Sequence, residues 1–146
     1  MKNDKITIYN SCLSLPKLRT FVKISNFGGE NIYLNKPLTF TQKSHIAKFK
    51  LGVLPLRLET DRFSRPIIPE TDRICEQCQS NNIENEIHFA LYCDKHSYIR
   101  KAFFDNIKLP PTIETDYEKI YYLLSNNNTV KLFAQYIVDC YSNRRT

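Results

Sequence analysis

A chain of 146 residues, 42% apolar and 25% charged, has the make-up of one globular domain and excludes collagen-like repeats and disordered polyelectrolytes. Its longest apolar runs, Leu51 to Leu56 and Ile120 to Leu124, fall far short of the roughly 20 residues of a spanning helix, which excludes such a membrane protein. The formal charge of +6 is lopsided: residues 1–70 hold 12 Lys or Arg against 5 Asp or Glu, whereas residues 71–146 hold 9 against 10. A basic half suits a polyanion, RNA or DNA, through counterion release, and equally suits a plain solubilising surface. The opening MKNDKITIYN lacks the apolar core of a secretory signal, so the expected compartment is intracellular and reducing, with nucleus and cytoplasm undecided.

No repeat is visible, and the elements follow in chain order. Leu15 to Asn26 reads as a short helix, with Pro16 in its first turn and Gly28 and Gly29 stopping it. Ile32, Leu34 and Leu38 belong to an irregular or extended stretch. A second helix is expected from about Thr41 to Leu51, capped by Thr39 or Thr41, with Ile46 and Phe49 inward and Gly52 as its stop. Pro55, Pro66 and Pro69 predict extended segments and turns over 53–73, a hinge between the halves. Ile99, Phe103 and Ile107 recur at helical spacing, and that helix must end before Pro110 and Pro111. Thr115 and Glu118 form a capping box that opens a helix with Tyr117, Ile120, Tyr121 and Leu124 inward. A last helix turns Val130, Phe133, Ile137 and Cys140 to the core. The nine Tyr and nine Phe at such spacings are read as core rather than as base-stacking platforms.

Three of the five cysteines and one of the three histidines fall within nineteen residues, as Cys75-x2-Cys78-x9-His88-x4-Cys93. A CxxC turn brings two thiolates together, and His88 and Cys93 complete a tetrahedral Cys3His set, the donor set of a structural zinc site. Four protein ligands leave no open position for water, so this Zn2+ is expected to hold the fold rather than to catalyse. His88 and Cys93 lie five apart, about 140° around a regular helix, so an irregular helix is expected there. A thioredoxin-like redox pair would need a βαβ context, and a disulfide framework an oxidising compartment; neither is indicated. His96 is a possible substitute ligand, although a solvated helix histidine is the plainer reading. Cys12 and Cys140 read as ordinary thiols, Cys140 in the core.

The fold class expected is therefore mainly α: a small helical domain with a structural Cys3His zinc site and short extended segments. Its parts are a basic helical or extended stretch over 1–70, a Cys3His module over 71–108 and a C-terminal helical hairpin over 112–146 on the same core.

At the cysteine cluster the chain resembles a known family. Arg73-Ile-Cys-x2-Cys, then Ile83-Glu-x-Glu86-x-His-Phe-x3-Cys93 and Tyr98-x-Arg100, is similar to the C-terminal zinc-binding region of non-LTR retrotransposon reverse transcriptases. Lys17-Leu-Arg-Thr20, the run from Ala47 to Phe63, and Tyr122-Leu-Leu-Ser-Asn extend the resemblance over roughly residues 15–145. Asp61 departs from the family pattern, where Gly commonly precedes the Arg. The resemblance implies the tail of a larger open reading frame that serves, or packs against, an upstream reverse transcriptase region. The polymerase carboxylate pair, a nuclease acidic motif and a Gly-rich phosphate loop are all absent from the sequence, so no enzyme is expected. The leading expectation is a zinc-binding, nucleic-acid-binding module with Lys43, Lys48, Lys50, Arg57, Arg62 and Arg65 as candidate phosphate contacts. The alternative is a zinc-stapled structural or protein-interaction domain that binds no nucleic acid.

Overall fold

The computed structural model describes residues 32–144; the expected helix over Leu15 to Asn26, and Cys12, lie outside the described residues. The fold is mainly helical, and among the described residues the only extended pairing is an isolated antiparallel bridge between Ile74 and Ile83. Within the stretch expected to be irregular or extended, Ile32–Asn35 forms a 3-10 turn.

Helix α1 (Phe40–Leu51) is capped by Thr39, one of the two caps the sequence offers, and begins one residue before Thr41. Thr39 Oγ1 accepts the Gln42 N–H at 3.1 Å while Gln42 Oε1 accepts the Thr39 N–H at 2.9 Å, which satisfies two otherwise orphaned donors. Gly52 ends the helix at φ 72°, a left-handed turn that costs a residue without Cβ nothing.

The segment expected to be extended is helical in part. Arg57–Thr60 forms a single turn, α2, and Asp61–Phe63 and Glu70–Asp72 are 3-10 turns. Pro55 and Pro66 flank Arg57–Phe63 without interrupting it, and the Leu56 carbonyl accepts the N–H groups of both Glu59 and Thr60 at 2.9 Å. At its start, Leu54 and Leu56 are each 1% exposed and belong to the core. Asp61, where the resemblance would favour Gly, is buried and paired with Arg57.

Helices α3 (Ser97–Asp105), α4 (Asp116–Ser125) and α5 (Val130–Arg144) complete the fold. The capping box forms as expected: Thr115 Oγ1 accepts the Glu118 N–H at 3.2 Å and Glu118 Oε2 accepts the Thr115 N–H at 3.2 Å. Ile120 and Leu124 point inward with Leu123, whereas Tyr121 turns largely outward because it lies about 100° around the helix from Ile120. α5 is the central strut, packed against α1, α3 and α4. Its Val130, Phe133, Ile137 and Cys140 are buried as expected, joined by Ala134 and Tyr136. Phe133 meets Phe49 edge-on at 5.6 Å, and Tyr136 stacks on Phe103 at 4.5 Å between centroids. Each fully buried ring contributes about 1.5–3 kcal/mol. Tyr136 also donates its hydroxyl to the Ala90 carbonyl, tying α5 to the turn that carries His88 and Cys93.

Candidate metal centre

The first two cysteines are held by a short hairpin-like loop. Cys75 N–H donates to the Asn82 carbonyl at 2.9 Å and Glu84 N–H to the Arg73 carbonyl at 3.0 Å, so the chain leaves and re-enters beside the Ile74–Ile83 bridge. Asn81 makes the return in the left-handed region at φ 58°, which Asn tolerates better than most residues.

The other two donors sit at the ends of the irregular helix that the spacing demanded. His88–Tyr92 is a π-helical turn in which Cys93 N–H donates to the His88 carbonyl at 2.7 Å. A π turn closes over five residues rather than four, which narrows the angle between positions 88 and 93 and lets both side chains face the loop. Asn85 fixes its start by accepting the His88 N–H at 2.8 Å. Arg100 fixes its end by donating to the Cys93 carbonyl at 3.0 Å.

The four donor atoms of Cys75, Cys78, His88 and Cys93 lie within 4.8 Å of one another. Cys75 and Cys93 Sγ are 3.8 Å apart, and Cys78 Sγ is 3.3 Å from His88 Nε2. Donors about 2.3 Å (sulfur) and about 2.0–2.1 Å (nitrogen) from one tetrahedral ion would be separated by roughly 3.8 and 3.6 Å, close to these two separations. The group can hold one metal ion. Cys75, His88 and Cys93 are buried and Cys78 is half-buried, which places the centre at the edge of the core.

The electrostatics divide the donors: Cys75 and Cys78 are shifted towards the thiolate that binds a cation, whereas Cys93 and His88, the latter raised chiefly by its hydrogen bond to Cys75, are held towards protonated forms whose proton a metal must displace. A hydrogen bond from Cys93, with further donors from His88 and the backbone of Gln77 and Cys78, lowers the Cys75 thiol to about 3. The same bond to Cys75, reinforced by burial, raises Cys93. Burial opposes ionisation of Cys78, but the Ser80 hydroxyl, 3.1 Å from its sulfur, and the Ser80 backbone outweigh it and lower that thiol. Thiolates so readied by donors are the form a cation takes.

His96 is neither a solvated helix histidine nor one of the four donors. It is 1% exposed, its ring edge-on to Phe89 at 5.2 Å and its Nδ1 3.2 Å from Asn143 Nδ2 on α5. Burial, then the charge of Arg100, lowers it to about 4. Cys140 is buried in the core as expected, its thiol pushed up to about 12 by burial.

The six basic candidates do not share one environment. Arg57 is bonded to Asp61 and Glu76, and Arg62 Nη1 lies 3.1 Å from Glu59, so carboxylates of the fold itself engage both. Lys50 lies half-buried 5.8 Å from the centre of the Tyr33 ring, and burial lowers its pKa. Lys43 is half-buried, and Lys48 and Arg65 are exposed; none of these three has an ion-pair partner among the described residues.

A second feature escaped the sequence reading. Glu84, 1% exposed, accepts Arg144 Nε at 2.6 Å, Arg144 Nη2 at 2.8 Å and the Arg57 N–H at 2.8 Å. This carboxylate locks the end of α5 to the metal loop and to α2. No local signal marks it, because the partners lie 27 and 60 residues away.

Comparison with known proteins gives no match: no family model fits the chain, and neither a curated protein nor a solved structure is significantly similar to it.

Proposed function

We propose that the chain is a non-catalytic, zinc-stapled helical module that binds nucleic acid. The observation that carries the reading is the set of four donors, three sulfurs and one imidazole nitrogen, gathered within 4.8 Å at one edge of the core. Three soft thiolates and an imidazole suit a tetrahedral Zn2+, and because the protein can fill all four positions the ion has a structural part to play. Zinc bound there ties the Cys75–Asn82 loop to the π turn and, through Glu84, to the end of α5.

The nucleic-acid part is supported by the +7 balance of residues 1–70, by the exposed Lys48 and Arg65, and by the resemblance of the Arg73–Arg100 pattern to retrotransposon reverse transcriptase tails. It is tested by titrating zinc-loaded protein against fluorescent RNA and DNA oligonucleotides at several salt concentrations. Binding whose logarithm falls linearly with the logarithm of salt, with a shallower slope for a Lys48→Gln, Arg65→Gln variant, is the expected result. Absence of binding at 50 mM salt overturns it.

A further inference from the structure

The loop between α2 and the metal hairpin is built with more care than a connector needs. Its neck is closed where the Asp61 carbonyl accepts the Ile68 N–H at 3.4 Å, and inside it the Ser64 hydroxyl lies 2.8 Å from the Asp61 carbonyl and accepts the Ile68 N–H at 3.3 Å. Arg73, 9% exposed, staples the neck from outside, with Nε donating to the Ile68 carbonyl at 3.0 Å and Nη1 to the Leu58 carbonyl at 2.9 Å. Arg73 is two residues before the first metal-site cysteine, and its own carbonyl accepts the Glu84 N–H. The loop is therefore braced by the same hairpin that presents Cys75.

What this brace presents is unusual. Phe63 is 65% exposed and Ile67 is 57% exposed, although neighbouring Leu54, Leu56 and Leu58 show that the fold buries apolar side chains readily here. Between them Arg65 is exposed, with no carboxylate partner among the described residues, whereas Arg57 and Arg62 are matched to acids. The Arg62 guanidinium carbon lies 5.9 Å from the centre of the Phe63 ring. An exposed aromatic ring and, two residues on in the same braced loop, an uncompensated cation are what an unpaired nucleotide requires: the base stacks on the ring and the phosphate meets the cation. A duplex keeps its bases stacked on each other and offers no such face.

We propose that the loop from Asp61 to Ile68 is a contact for single-stranded nucleic acid, in which Phe63 stacks on a base and Arg65 pairs with the adjoining phosphate. This rests on the nucleic-acid reading above and goes beyond it by naming the strand form and the stacking residue. Pre-organisation by Ser64 and Arg73 lowers the ordering cost of the contact.

The chain contains no Trp, so Phe63→Trp places a single fluorophore at the loop tip. Zinc-loaded protein is titrated with a 12-nucleotide oligo(dT), its oligo(rU) counterpart and a duplex of the same length. Saturable quenching of the Trp by the single strands is expected, and Phe63→Ala weakens their binding about 5- to 150-fold while leaving duplex binding within about twofold. Phe40→Ala, at the 87% exposed ring on α1, changes neither. Arg65→Gln reduces the single-strand salt slope by about 0.7. Helicity and metal content confirm that each variant is folded. If the parent protein binds single strands but Phe63→Trp is not quenched and Phe63→Ala binds equally well, the loop assignment is overturned and the nucleic-acid reading stands. If the parent binds none of the three oligonucleotides, both are overturned.

Discussion

Replacing Arg144 with Met removes the counter-ion of the most deeply buried carboxylate and tests whether the end of α5 is locked to the metal loop by charge. Glu84 is 1% exposed and takes two charged donors from Arg144, at 2.6 and 2.8 Å, and one neutral donor, the Arg57 N–H. Without the guanidinium, an ionised carboxylate keeps one neutral hydrogen bond in a largely buried site. Stripping one partner from a buried pair costs about 3–5 kcal/mol. The Arg144 side chain retains 16% of its surface, so water reaches that end of the pair and the lower limit, about 3 kcal/mol, is expected. Against a typical net stability of about 5–15 kcal/mol that is a large fraction. Urea unfolding of zinc-saturated protein, followed by helicity, measures it. Adding Glu84→Gln to Arg144→Met should restore most of the loss, because no buried charge then remains. A cost below about 1 kcal/mol, with no rescue by the second substitution, refutes the argument.

Other perturbations separate the core from the metal site. Phe133→Ala empties the space among Phe49, Phe103 and Tyr136 and should cost about 3–5 kcal/mol in the same urea experiment without changing metal stoichiometry. His96 titrates near 4 when folded and near 6.5 when unfolded, so the unfolded chain takes up the extra proton between those values and stability falls as pH drops from about 6.5 towards 4. His96→Gln should flatten that part of the pH–stability curve, measured with zinc in excess; an unchanged slope would show that other groups govern it. Cys140→Ser should leave metal content intact while lowering stability, whereas Cys78→Ser should lose the metal; equal metal content in the two variants would show that Cys78 is not a ligand.

Features decided by residues a few positions apart were legible before any coordinates. The two capping boxes' outer residues, Thr39 and Thr115, and the stop at Gly52 depend only on local backbone chemistry, and the buried face of α5 follows from helical period alone. The four candidate ligands could be read from their spacing, and the five-residue gap between His88 and Cys93 correctly required a departure from α-helix. Features decided by distant partners were not legible. His96 owes its burial to packing against Phe89 and to Asn143, 47 residues on. Arg57 reads as a phosphate ligand until Glu76 comes beside it. Tyr121 is expected inward as one of the face Tyr117, Ile120, Tyr121 and Leu124, but Leu123 takes that place.

The central claim, that one ion held by Cys75, Cys78, His88 and Cys93 staples the fold, is tested most directly by metal analysis of protein purified without added zinc, followed by chelation while helicity is monitored. Structural zinc contributes about 10–16 kcal/mol of apparent binding energy, comparable to or larger than the whole stability of a domain of this kind. The account predicts one zinc per chain, loss of helicity on chelation, and no metal in Cys75→Ser. A folded, metal-free protein whose thiols at positions 75, 78 and 93 react as ordinary cysteines, with helicity indifferent to chelator, would contradict it.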